Sequence, residues 1–121
     1  MKKKILIADD TAASRELVRT VLERSGLDVH EAVDGVEALD RARSVHPDLI
    51  ILDLHMPRLD GFGVIEQLRN DPEFASTPVM ALTASAMMGD QERALRAGFT
   101  GYFTKPIRLG DLRAEIKRLL G

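Results

Sequence analysis

Three short runs, Ile5-Leu6-Ile7, Leu49-Ile50-Ile51-Leu52 and Val79-Met80-Ala81-Leu82, are apolar at every position. A strand with one face in water alternates apolar and polar side chains. Runs without alternation therefore describe strands covered on both faces, as in a parallel sheet flanked by helices. Two weaker candidates are Asp28-Val29-His30-Glu31-Ala32, whose partial alternation suits a sheet edge, and Gly101-Tyr102-Phe103. Between these runs the apolar period becomes helical. Leu17, Val18, Val21 and Leu22 share one face, mostly for the core, before a stop at Gly26; Val36, Ala38, Leu39 and Ala42 share another before His46-Pro47. Phe62, Val64, Ile65 and Leu68 form a third, residues 90–97 a fourth ended by Gly98, and Leu112, Ile116, Leu119 and Leu120 the last. Each strand is thus followed by one helix. Right-handed crossovers then predict an α/β fold, a single doubly wound five-stranded parallel sheet, for which the expected order is the common 2-1-3-4-5, the flavodoxin-like (βα)5 arrangement.

The 121 residues suit one domain, and no linker, repeat or low-complexity stretch divides them, so 1–121 is read as a single unit. Lys plus Arg is 17 against 19 for Asp plus Glu, a balance that argues against gripping nucleic acid or an anionic membrane. With 0 Cys there is no disulfide framework, no thiolate nucleophile and no cysteine-ligated zinc. The basic opening leads into an apolar run too short for a signal peptide, and nothing approaches the ~20 apolar residues of a membrane span. The expected location is the cytoplasm.

In an open α/β sheet of this order, function gathers at the carboxyl ends of the strands, where the order switches between strands 1 and 3. Asp9 and Asp10 follow the first strand, Asp53 the third, Thr83 the fourth, and Lys105-Pro106 the fifth. Strands 1 and 3 are neighbours in that order, ~4.8 Å apart. Three carboxylates then converge, and like charges that close need help to stay ionised. A hard divalent cation with oxygen ligands supplies it, and Mg2+ suits few carboxylates plus a phosphate oxygen. Lys105 adds a positive charge from the far side and Thr83 a hydroxyl. The set suits a phosphoryl group arriving at one carboxylate. Asp9 and Asp10 also suit a pair capping the first helix.

The motifs Ile7-Ala8-Asp9-Asp10, Leu52-Asp53-Leu54-His55-Met56-Pro57 with Asp60-Gly61, Val79-Met80-Ala81-Leu82-Thr83-Ala84 and Tyr102-Phe103-Thr104-Lys105-Pro106 together resemble the receiver domain of two-component response regulators. The resemblance covers essentially the whole chain. Residues 84–98 look most like single-domain regulators of the cell-division type or receivers of hybrid kinases.

The resemblance implies that Asp53 is the phosphoryl acceptor, a carboxylate nucleophile forming an acyl phosphate. It implies that Asp10 binds Mg2+ directly, that Asp9 acts through water or by charge, and that His55 lends its backbone carbonyl to the metal. It implies a cis Lys105–Pro106 peptide that aims the ammonium at the phosphoryl oxygens. Thr83 then takes a phosphoryl oxygen and shifts with its loop, and Tyr102 is either a ring that follows it inward or half-buried packing. The His55 imidazole and Ser85 line the route of attacking water. Met87-Met88 is a flexible patch or filler. The implied partners are a histidine kinase or histidine phosphotransfer protein and a downstream protein target, with a phosphorylation-dependent homodimer left open.

The alternative is an aspartyl-nucleophile, magnesium-dependent phosphatase of the haloacid-dehalogenase type. That family places its nucleophile after the first strand with a second Asp two residues on, and Asp9-Asp10-Thr11-Ala12 breaks the spacing. A flavin carrier needs a phosphate-cradling loop after strand 1, where Asp9-Asp10 repels phosphate, and aromatic walls, where aromatics are only 4%. A docking module without phosphorylation would leave all these chemical residues unused.

Overall fold

The computed structural model describes residues 2–84 and 89–120. Within them the chain runs β1 (Lys4–Ala8), α1 (Ala12–Arg24), β2 (Asp28–Ala32), α2 (Gly35–Val45), β3 (Leu49–Asp53), α3 (Gly61–Asn70), β4 (Val79–Thr83), α4 (Asp90–Ala97), β5 (Gly101–Thr104) and α5 (Leu109–Leu120). The strands form one parallel sheet in the order β2-β1-β3-β4-β5. The three uniformly apolar runs are its centre, and every residue of β3 and β4 is buried. The partly alternating run is the β2 edge, where only Ala32 is fully buried.

Strand alternation divides the core in two. Leu6, Ile50, Leu52, Val79 and Ala81 pack with Ala38, Leu39, Val64, Ile65 and Ala94 of α2, α3 and α4. Ile5, Ile7, Leu49, Ile51, Met80 and Leu82 pack with Val18 and Leu22 of α1 and Leu112 and Ile116 of α5. The sheet is thus sandwiched by two helices on one face and three on the other, and water is kept from both sides of the strands that carry the acidic residues.

Helix ends follow local chemistry. Asp34 and Asp60 cap α2 and α3, their side chains accepting from the amides of Glu37 and Gly63 at 2.8 Å each. After α1, Gly26 takes a left-handed φ of +83°, and Gly98 does so after α4 at +114°. His46 closes α2 in the same region, at φ 55°. The apolar stripe of α1 is narrower than its sequence suggests. Val18, Val21 and Leu22, at i, i+3 and i+4, fill the stripe, and Leu17 falls on its margin, 51% exposed. Residues 91–96 form a solvated face apart from buried Ala94, with the Arg93 guanidinium 3.9 Å from the centre of the Phe62 ring. No helix among the described residues is long and apolar enough to cross a membrane.

The start of α2 lies against the loop that follows β3. A Cβ on Gly35 would run into the Leu59 carbonyl oxygen, a contact with main chain that no rotamer relieves. Gly35→Ala is expected to lower stability by about 1–3 kcal/mol, the usual cost of overpacking. Gly110 in α5 has nothing within 4 Å of the same position. Gly110→Ala is expected to raise stability by about 0.5 kcal/mol through the helix term. Urea midpoints of the two variants check the opposite signs.

Candidate functional site

Register delivers the acidic residues. Ala8 pairs with Leu52, so the next residues in each strand, Asp9 and Asp53, come level at the carboxyl end of the sheet. Asp9 also extends the β1–β2 ladder by one step, its N–H donating to the Ala32 carbonyl at 3.1 Å. Period-two alternation puts Asp9 in line with Ile5 and Ile7, and Asp53 in line with Leu49 and Ile51, on the same face of the sheet. Both carboxylates are buried, with Asp9 1% and Asp53 4% exposed, while Asp10 is exposed. One oxygen from each of Asp9, Asp10 and Asp53 lies within 4.8 Å of the others.

Lys105 reaches this group from beyond β5. Its amide donates to the Thr83 carbonyl at 2.8 Å, and the Lys105–Pro106 peptide is cis. Its Nζ donates to Asp53 Oδ2 at 3.0 Å and lies 2.8 Å from Asp9 Oδ2. The second contact is an ion pair, and Asp9 Oδ2 is buried with no further hydrogen-bond partner among the described residues. The other oxygens are held by main chain: Asp9 Oδ1 accepts from the Thr11 amide and Asp53 Oδ1 from the His55 amide, each at 2.9 Å. Asp9 and Asp10 therefore do not cap α1 as a pair. Thr11 is the N-cap residue, with no side-chain cap bond, and Asp9 folds its side chain back onto that residue's amide.

The two buried carboxyls diverge in acidity. Burial pushes Asp53 up, and the Asp9 charge adds to it, outweighing the His55 amide and the Lys105 ammonium. Burial also pushes Asp9 up, but Lys105, the Thr11 amide and the Ser14 hydroxyl together hold it below the ordinary aspartate range. Burial depresses Lys105, yet its contacts with Asp9 and Asp53 prevail and raise it, so the ammonium stays charged.

The remaining candidates are distributed around this centre. Thr83 is fully buried at the end of β4. His55 is exposed, and its amide rather than its ring meets Asp53. Tyr102 pairs with Ala81 in the register and packs on the α2–α3–α4 side, its hydroxyl buried without a hydrogen-bond partner among the described residues. Burial, with the Asp90 charge, pushes its phenol up. Ser85, Met87 and Met88 lie outside the described residues. Sequence reasoning missed Arg15, whose Nη1 donates to the Asp9 carbonyl at 2.8 Å. An arginine one helical turn past an acidic strand end was the available signal, but a carbonyl partner leaves no mark in the sequence.

Residues 5–117 match the family model described as the response regulator receiver domain. The polar-differentiation response regulator DivK of Brucella ovis is 40% identical over 121 residues, which is 100% of this chain and 98% of that protein. Its counterpart in Brucella anthropi is 39% identical over the same shares. Among solved structures, the chemotaxis response regulator CheY4 of Vibrio cholerae superposes with a TM-score of 0.92 at 31% identity, over 99% of this chain and 100% of that one. The signal receiver domain of a signal transduction histidine kinase from Syntrophus aciditrophicus gives 0.90 at 33% identity, over 98% and 89%. With a strand order and an acidic edge of this kind, the chain belongs to the response regulator receiver domain family.

Proposed function

We propose that Asp53 accepts a phosphoryl group from a phosphohistidine on a histidine kinase or histidine phosphotransfer protein, and that the chain signals through the surface change that follows. The observation that carries this reading is the Lys105 ammonium set against two buried carboxylates beside a third. Three carboxylates against one ammonium leave two negative charges unbalanced. An all-oxygen donor set with that deficit, and with Asp9 Oδ2 buried against Lys105 and no other partner among the described residues, fits Mg2+. Asp9, Asp10 and Asp53 would hold it, and the His55 carbonyl completes the protein's share. When bound, Mg2+ neutralises charge on the transferring phosphoryl oxygens.

An Asp53 oxygen attacks phosphorus in line with the phosphorus–nitrogen bond. That bond breaks, its electron pair returns to the imidazole nitrogen, and a proton from solvent neutralises the departing ring. Lys105 offers its N–H groups to the oxygens that gain charge. Water later attacks the same phosphorus, the acyl oxygen leaves with the electron pair, and Asp53 is restored as a carboxylate with release of inorganic phosphate. The chain is in this reading a cytoplasmic phosphoacceptor rather than a turnover enzyme, and residues 1–121 act as one receiver. The new dianion supplies the driving force for a two-state change at Thr83 and Tyr102, read by a downstream protein or by a second copy.

Incubation with acetyl phosphate and Mg2+ is expected to add one phosphate to the intact mass, labile in base and absent in Asp53→Asn. Phosphate on a hydroxyl, or repeated release from unrelated phosphate esters, supports the phosphatase alternative instead. Removing Lys105 separates two electrostatic roles. In Lys105→Met a competing cation is gone, so Mg2+ binds several-fold tighter, while the rate of phosphorylation at saturating Mg2+ falls by about 100-fold for loss of a donor to the transferring group. Mg2+ titration calorimetry and single-turnover rates on the same protein check both directions.

A further inference from the structure

The Asp9–Asp10 peptide joins two of the three clustered carboxylates, and its orientation decides how Asp10 leaves the strand. On one side Asp9 is held by its own N–H in the ladder with Ala32. On the other, the donor to its carbonyl among the described residues is the Arg15 guanidinium, at 2.8 Å. Asp10 is exposed and takes its placement from that peptide. The guanidinium is itself held. Its Nε donates to Glu31 Oε1 at 3.3 Å, and Glu31 Oε2 accepts from Arg19 Nη1 at 2.8 Å. Glu31 immediately precedes Ala32 in β2, so one strand steadies both ends of Asp9: directly at the amide, and through Arg15 at the carbonyl. The Arg15 side chain is only 16% exposed, so solvent screens these bonds little.

We propose that Arg15 is a positioning residue for the cation site: by holding the Asp9 carbonyl it sets the Asp9–Asp10 peptide, so that both carboxylates are presented together to a divalent cation. The inference rests on the reading of Asp9, Asp10 and Asp53 as the Mg2+ ligands. It assigns to the Arg15–Glu31 pair an outer-shell role, of the kind whose loss costs 10–100-fold in metal affinity. A peptide free to turn would leave Asp10 displaced, and the cation would have to order it on binding.

The test is Mg2+ titration calorimetry on the unphosphorylated protein and its Arg15→Met, Arg15→Lys, Glu31→Gln and Arg19→Met variants. Urea midpoints in chelator and phosphorylation rates at limiting and saturating Mg2+ accompany it. Arg15→Met is expected to weaken Mg2+ binding by about 10-fold or more, with the phosphorylation rate returning to that of the parent at saturating Mg2+. Arg15→Lys is expected to recover part of the affinity through a single bond to the carbonyl. Arg19→Met disturbs the same surface network without touching Asp9, and its affinity should stay within about twofold of the parent, below the range for an outer-shell loss. If Arg15→Met does not fold, Glu31→Gln carries the test, with an intermediate loss of affinity expected. Parent affinity in Arg15→Met, or an equal loss in Arg19→Met, overturns the inference and leaves the proposed function standing. A parent protein that binds no Mg2+ overturns both.

Discussion

Two carboxylates buried side by side are the constraint around which the rest of the chain is arranged. Asp9 and Asp53 are nearly removed from water, and each raises the cost of ionising the other. Lys105 is the internal answer, and it has far to come. Its main chain lies beyond β5, while Asp9 and Asp53 end β1 and β3, with β4 between β3 and β5. Only a long, flexible side chain with a compact charge spans that gap. Its root is tied to the intervening strand by the bond from the Lys105 amide to the Thr83 carbonyl. The ammonium thus sits near both carboxylates without a helix or strand of its own to carry it.

The same apolar strands that make the fold make this problem. Because β1, β3 and β4 are covered on both faces, they pair in parallel, and every carboxyl end points to one edge. The edge gathers the residues that follow each strand, whatever their charge. Helix coverage lowers the local dielectric there, which makes attraction and repulsion both larger than at an ordinary surface. Placing acids at these positions costs some stability, and at Asp53 burial pushes the carboxyl up despite the Lys105 ammonium.

Legibility followed the length scale of each feature. The strands, the edge position of β2 and the stops at Gly26 and Gly98 came from patterns over a few neighbouring residues, the strand order from the common order of open five-stranded parallel sheets, and the structure has them where the sequence analysis expected. Leu17 is the part of the first helix's mostly core face that stays exposed, and a contiguous apolar quartet does not say how wide a stripe the sheet can cover. Lys105 was placed at the right edge, but its ion pairs with Asp9 and Asp53 depend on torsions that no one-dimensional pattern records. Arg15 was invisible for a different reason: its key partner is a carbonyl oxygen that every residue carries. The same holds for the amides of Thr11 and His55, which take one oxygen each of Asp9 and Asp53.

Charge arithmetic at the edge connects the proposed chemistry to signalling. With a divalent cation present, three carboxylates, one ammonium and that cation balance. On the reading proposed above, phosphorylation replaces the single charge of Asp53 with ~1.5–2 negative charges on oxygens that stand farther out. The pocket then carries up to one negative charge more than its cations match, in surroundings where an uncompensated charge is costly. Lys105 can turn its N–H groups to the new oxygens, but it brings no further charge than the one already counted. The next donor group along the edge belongs to Thr83, at the end of the neighbouring strand and one residue before Ala84. On the same reading, a hydroxyl drawn toward that surplus would move the end of β4, and beside β4 the register sets Tyr102, with its buried hydroxyl, against Ala81. The unmatched charge is therefore an electrostatic reason for a local covalent change to spread sideways along the sheet, toward the face formed by β5 and its flanking helices.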